Sequence, residues 1–229
     1  EVYFSAGGAL FLQGRATVPI AIAEQVHAYG VSGKHLYFIS KNGFFAESDL
    51  LGGNTKLLGR KGLLLDEKAP TAITISKAGD VAVIDAANGL FLYRPDRSSE
   101  LELITSGVLG IDFSASGDRL LFWDAGRLWV YWLKDNPSQP FDLAGTKKQI
   151  FFSDDPIRQA YLNEKGTHVF YAVDRAIRMV EVDDRASANN YDLLKASVGS
   201  FAMDRQNFTL YWLEKSTLYR ALFRPKAGA

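Results

Sequence analysis

Four carboxylates recur at equivalent places in this sequence: Asp85, Asp124, Asp174 and Glu214. Each closes an apolar run (Val81–Ile84, Leu120–Trp123, Val169–Val173, Thr209–Leu213) and stands before a short polar stretch. Ser40 holds the same place after Leu36–Ile39. Two chemistries fit this pattern. An aspartate at the head of a tight turn accepts backbone N–H groups and fastens a hairpin. The same carboxylates gathered on one rim could instead hold a cation such as calcium, or a basic partner segment. No EF-hand spacing accompanies them, so hairpin chemistry is the preferred reading. Asp80 and Asp118, each directly after a turn glycine, read the same way.

Other reactive groups are sparse. The three histidines are His27, His35 and His168, and the last two each follow a glycine by two residues. A zinc site needs three or four converging ligands, and these spacings do not supply them. There is no cysteine, which excludes disulfides, thiolate metal sites and a thiol nucleophile. No Gly-x-Ser-x-Gly elbow, Walker A sequence or Gly-x-Gly-x-x-Gly occurs. Gly59-Arg60-Lys61-Gly62 is too short to cradle a phosphate and reads as a loop. Asn207-Phe208-Thr209 fits a glycosylation sequon, and a turn entering a strand explains it equally. No catalytic residue, cofactor site or metal site is assigned.

The aromatic residues are the remaining signal. Trp123 and Trp212 fall inside apolar runs, where core packing is expected. Trp129 and Trp132 lie in a run that leads into Lys134–Lys148, a stretch with two prolines, Pro137 and Pro140, that stop strand pairing. Trp129, Trp132, Pro137, Pro140 and Phe141 are the candidate contact residues. Core packing for the tryptophans and a plain connecting loop for the prolines are the competing readings.

The elements that position these residues form a repeat. Gly110–Trp132 reads as three short strands joined by two turns, the first being Ser114-Ala115-Ser116-Gly117-Asp118. The unit recurs around Gly33, Gly79, Gly117, Gly166 and Asn207, so the intervals are 46, 38, 49 and 41 residues. A period in the low forties is that of a four-stranded propeller blade. Glycine, and in the last repeat asparagine, suits a left-handed turn residue. Runs such as Leu120-Leu121-Phe122-Trp123 are apolar at every position, as a strand covered on both faces requires. A fourth strand is expected in Thr55–Leu58, Leu101–Ile104 and Lys148–Phe152. Asp155–Ala160 and Ala188–Lys195 are expected to form at most a turn of helix. Val2–Leu12 reads as a partial first blade. The expected fold is an all-β propeller of four-stranded blades, with five complete or near-complete repeats plus a partial N-terminal one, in a single domain over residues 1–229. A β-sandwich is the alternative.

Several segments resemble a known family. They are Arg127–Phe141, Ile157–Leu162, Ile177–Arg185, Asn190–Leu193 and Asn42–Leu50. They are similar to the C-terminal propeller of PEGA-domain-containing bacterial envelope proteins, over about two-thirds of the chain and most densely from Gly117 to Leu193. The Ser-x-x-Gly-Asp turn more distantly resembles TolB-type and WD40-like propeller repeats. The resemblance implies a propeller outside the cytoplasm, in a longer protein with a membrane helix and a PEGA module ahead of it. It brings no catalytic residues.

Composition bounds the function further. Among 229 residues, 47% are hydrophobic and 13% aromatic, and 26 basic residues balance 26 acidic ones. A sizeable core is affordable and disorder is not expected. Neither the basic excess nor the basic stripe of a nucleic-acid binder is present. No run approaches the 18 apolar residues of a spanning helix. The start, Glu1-Val2-Tyr3-Phe4-Ser5, has neither Met nor a leader pattern and reads as the middle of a strand, so upstream sequence is expected. The expected role is a non-enzymatic binding or scaffold module of an extracytoplasmic envelope protein, contacting another protein or a glycan. The alternatives are a glycan-active hydrolase or lyase, which needs two carboxylates about 5–10 Å apart, and a cytoplasmic WD40-like assembly hub.

Overall fold

The computed structural model describes residues 2–6, 8–14, 18–59, 62–66, 71–137, 141–182, 189–195 and 200–223. They form six antiparallel sheets in which every strand pairs with its neighbour in sequence, and no helix occurs among them. The fold is a β-propeller of such blades. The chain divides into two compact units, Glu1–Val108 and Leu109–Ala229.

The first unit holds three sheets. Sheet one is β1 (Val2–Ala6), β2 (Ala9–Gln13) and β3 (Ile20–Ala23). Sheet two is β4 (Val26–Ser32), β5 (His35–Ser40), β6 (Phe45–Asp49) and β7 (Lys56–Leu57). Sheet three is β8 (Ala72–Ile75), β9 (Val81–Ile84), β10 (Leu90–Tyr93) and β11 (Glu102–Thr105). Leu10 of sheet one meets Val26, Leu36, Phe38 and Ala46 of sheet two. On the other side, Tyr37, Ile39 and Phe45 meet Val81, Val83 and Tyr93 of sheet three.

The second unit repeats the plan. Sheet four is β12 (Gly110–Phe113), β13 (Arg119–Trp123), β14 (Arg127–Trp132) and β15 (Lys147–Phe152). Sheet five is β16 (Ile157–Leu162), β17 (His168–Val173), β18 (Ala176–Glu181) and β19 (Asn190–Lys195). Sheet six is β20 (Ser200–Asp204), β21 (Thr209–Glu214) and β22 (Thr217–Leu222). Leu121, Trp123, Leu128, Val130 and Trp132 pack on Ile157, Ala160, Val169 and Tyr171. Phe170, Ala172 and Ile177 pack on Phe201 and Leu210.

The second strands of sheets two and five, β5 and β17, are therefore covered from both sides. β9 and Leu120–Trp123 of β13 are buried at every position, while outer β15 keeps exposed residues in its pattern. Each covered Leu, Ile or Phe is worth about 1.5–3 kcal/mol, and no single sheet could gain this alone. Within each unit the first strands lie side by side, β4 next to β8, β12 next to β16 and β16 next to β20.

The turns follow the repeat. Gly33, Gly79, Gly117 and Gly166 all have positive φ. Ser76 and Ser114 open their turns by accepting backbone N–H groups, from Ala78 and Asp80, and from Asp118 and Arg119 respectively. Asn163 does the same with its side-chain oxygen.

Two expectations need correction. Asn207 is not the left-handed residue of the last turn. Phe208 is, at φ 49°, because Asp204 binds both the backbone and the side-chain amide of Asn207. Nor are Asp155–Ala160 and Ala188–Lys195 helical in their described parts, which run into β16 and β19. Bulges at Ile157/Gln159 and opposite Ile177/Arg178 shift the pairing by one residue and break the period of two that marks a strand.

Candidate functional site

The recurring carboxylates divide by what they hold. Asp85 accepts from the amides of Ala87 and Gly89 at 3.1 and 2.8 Å, and from the Leu64 amide at 3.3 Å. Asp124 accepts from Gly126 and Arg127 at 3.0 and 2.8 Å. Both fasten hairpins. Asp174 is itself the left-handed residue, at φ 47°, and its carbonyl accepts from Arg158. After Glu214 that conformation passes to Lys215. The four positions are thus not copies of one site. Asp85 belongs to the first unit and the other three to the second. Among the described residues no three His, Asp or Glu side chains gather to hold a metal ion.

Each histidine meets a different neighbour. His27 Nε2 lies 3.0 Å from Thr71 Oγ1, His35 Nδ1 lies 2.5 Å from Glu47, and His168 Nδ1 lies 2.9 Å from Thr167 Oγ1. Burial holds His168 below the ordinary imidazole value, against the pull of Glu181.

Asp118 shows what the Ser-x-x-Gly-Asp turn does electrostatically. Burial alone would raise its carboxyl. The hydroxyls of Ser114 and Ser116, with Arg119 and its own amide, outweigh that and hold it below the usual range. A depressed folded-state pKa contributes stability above the unfolded value of about 3.9, lost as pH falls through the lower one. Thermal unfolding of Asp118→Asn is therefore expected to lose less between about pH 5 and pH 3 than the parent does. Parallel loss in both would show that the carboxylate is not what the turn stabilises.

The candidate contact residues separate cleanly. Trp132 is 1% exposed and belongs to the core between sheets four and five, so its ring has no surface to offer a partner. Trp129, on the other face of β14, is half-buried and stacks on Phe122 at 6.2 Å, with Lys147 Nζ 5.5 Å from its ring. Pro137 is exposed, and Pro140 lies outside the described residues. Phe141 is 70% exposed, and so is Leu143, which sequence reasoning missed.

The arm carrying those two residues is fastened. Asn136 N donates to Asp142 O at 2.7 Å. The Asp135 carboxylate accepts from Ala144 N at 2.8 Å. Buried Asp142 pairs with Lys148 at 2.5 Å. Alternation then turns Asp142 inward and Phe141 and Leu143 outward. The signal was present as an apolar–Asp–apolar triplet, but nothing local says which side is covered.

Two further features escaped the sequence. In the second unit both carboxylate oxygens of Asp112 on β12 accept from one guanidinium nitrogen of Arg205, whose other terminal nitrogen donates to Phe113 O, and the Leu162 amide donates to the same carboxylate. The acid on this inner strand thus faces a guanidinium and an amide. Beside it, Gln159 bridges Tyr161 and the Phe201 amide. In the first unit a cavity of about 540 Å³ is lined by Leu63, Leu64, Asp85, Phe91, Glu100 and Leu103, among others. No helix among the described residues is long and apolar enough to cross a membrane.

No family model matches the chain, and no curated protein does. Solved structures are similar to it. Hsv2 of Kluyveromyces lactis is 15% identical, over 97% of this chain and 70% of its own, with a TM-score of 0.67. The extracellular domain of the putative one component system BT4673 from B. thetaiotaomicron is 15% identical, over 97% of this chain and 31% of its own, at 0.58. A putative TolB from Agrobacterium tumefaciens is 14% identical, over 86% of this chain and 74% of its own, at 0.51. At these identities the likeness is of fold, and it is to TolB-like propellers among others.

Proposed function

We propose that this chain is a non-enzymatic binding module that makes its contacts through loops carried on rigid blades. One observation carries the reading: the stretch Phe141–Thr146 is held by Asp135, Asp142 and Lys148, and it presents Phe141 and Leu143 to solvent. An anchored loop with exposed apolar side chains loses little freedom on docking, which favours recognition over catalysis. The carboxylates that could have served chemistry, Asp85, Asp112 and Asp124, hold amides and guanidinium groups instead.

The partner in this reading is an envelope protein or glycan, and the location is outside the cytoplasm. The resemblance of Arg127–Phe141 and Ile157–Leu162 to PEGA-type envelope propellers supports that placement. So does the fold likeness to an extracellular domain.

The test is capture from a solubilised envelope fraction of the source cells, with the parent chain and with Phe141→Ser/Leu143→Ser as bait, read by mass spectrometry and glycan analysis. A partner held by the parent and lost at least about tenfold by the variant is expected, since truncating central apolar anchors commonly removes 1–2 kcal/mol or more. Capture that survives the double substitution sinks the loop reading. Turnover of an envelope polysaccharide by the chain replaces it with the enzymatic one.

A further inference from the structure

Sheets five and six are built on the same hairpin. β17 and β18 close through the pair Val173–Ala176, and β21 and β22 through Glu214–Thr217. Counted from these pairs, Phe170 corresponds to Tyr211, Ala172 to Leu213 and Ile177 to Leu218. The correspondence extends to what should cover them. In sheet five, Phe170, Ala172 and Ile177 face forward onto Phe201 and Leu210 of sheet six. In sheet four, Leu121, Trp123 and Leu128 face forward onto sheet five in the same way.

Sheet six breaks the series. Ala172 is 4% exposed and Ile177 0%, whereas Leu213 is 39% exposed and Leu218 68%. Leu222 pairs with Thr209 on the same face and is also exposed. Leu213 and Leu218 thus stand at positions that receive the next sheet in the two preceding blades, and Leu222, the counterpart of Glu181 in sheet five and Trp132 in sheet four, extends the same face. Arg220, opposite Tyr211, shares this face. Monomeric proteins seldom leave a contiguous apolar face of this kind open, and repeat folds bury each face on a neighbour of the same type.

We propose that the forward face of sheet six seats one further antiparallel β-blade of the same protein. Its first two strands bring apolar side chains onto Leu213, Leu218 and Leu222, as Phe201 and Leu210 meet Ala172 and Ile177. Its edge places a carboxylate or carbonyl against Arg220. The occupant is identified by continuity, since the same interface already occurs twice within this unit. The Hsv2 and TolB structures likewise carry chain beyond the part matched here. The proposal does not rest on the loop reading and stands or falls separately from it.

The absence of cysteine from these residues makes a thiol reporter clean. Leu218→Cys and, as an exposed control, Leu51→Cys are placed in the full polypeptide that the gene encodes and labelled with a maleimide, with the fold checked by circular dichroism. Leu218→Cys is expected to react at least about tenfold more slowly than the control, and equally fast once urea unfolds the protein. Equal rates in the folded protein overturn the proposal. Protection that disappears on dilution, as a dimer dissociates, also overturns it, because a second copy then covers the face. The same holds if the 229-residue chain alone, as a monomer, already protects the site.

Discussion

Arg205→Met is expected to lower the unfolding free energy by about 3 kcal/mol. Arg205 sits in the turn between β20 and β21. It reaches both carboxylate oxygens of Asp112 on β12, and the Phe113 carbonyl at 2.7 Å. The Leu162 amide of β16 meets the same carboxylate at 2.8 Å. One group from sheet four is thus held by sheets five and six together. Methionine keeps the stem and removes every donor, so Asp112 and the Phe113 carbonyl are left short of partners in a largely covered place. Breaking such a pair costs more than the pair is worth, because the remaining charge stays desolvated. The Arg205 and Asp112 side chains retain 21% and 14% of their exposure, which puts the effect at the lower end of the roughly 3–5 kcal/mol range.

The pH dependence has a definite sign. Burial pushes the Asp112 carboxyl above its ordinary value, and Arg205 and the Leu162 amide pull against that rise. Removing Arg205 lets it rise further. A folded state that binds the proton more tightly than the unfolded chain is most stable below the ordinary carboxylate value, and loses stability as pH rises through the raised one. The Arg205→Met defect should therefore be largest at neutral pH and shrink in acid. Urea midpoints at pH 7 and near pH 4 measure both. Asp112→Leu in the Arg205→Met background should recover part of the loss, because no charge then remains unpaired. An unchanged midpoint at pH 7 would mean that this pair does not bind the three sheets together.

That interaction also marks the limit of what the sequence discloses. Ser-x-x-Gly-Asp turns and strands apolar on both faces are local patterns, so the repeat and the left-handed glycines at Gly33, Gly79, Gly117 and Gly166 can be read directly. Asp112 and Arg205 lie 93 residues apart, and nothing near either one announces the other. β16 and β19 escaped for a different reason: one extra residue at each bulge, Arg158 in β16 and Leu193 in β19, breaks the alternation. Trp129 and Trp132 are three residues apart in one strand, so they must face opposite ways. Which face is covered depends on sheet five. The loop at Pro137 and Phe141 could be found from its prolines, but the bonds that fasten Asp142 and Ala144 could not. Asp142 looks like a solvated charge until Lys148 is seen beside it.

Gly43→Ala should be among the damaging glycine substitutions, at about 3 kcal/mol. Gly43 closes the turn after β5 with φ 79°, its amide donating to Ser40 O at 2.8 Å. Its carbonyl accepts from Leu63 N at 2.6 Å. A β-carbon at this position would stand 2.2 Å from the Leu63 carbonyl oxygen. That neighbour is backbone, so it cannot swing aside as the tip of a long side chain would. Either the turn flips, or the chain at Leu63 moves out and withdraws a buried leucine from Tyr37, Ile39, Phe45 and Leu58. Gly33→Ala is the matched comparison. Gly33 has φ 59°, and a β-carbon there meets nothing within 4 Å, so only the left-handed backbone is charged, about 1–2 kcal/mol. The difference between the two variants in urea denaturation isolates the clash from the conformational term. If both lose the same amount, the Leu63 strap yields freely and adds nothing to the seating of sheet two on sheet three. If Gly43→Ala loses clearly more, the strap is what locks the turn, and through Leu63 the core between those two sheets.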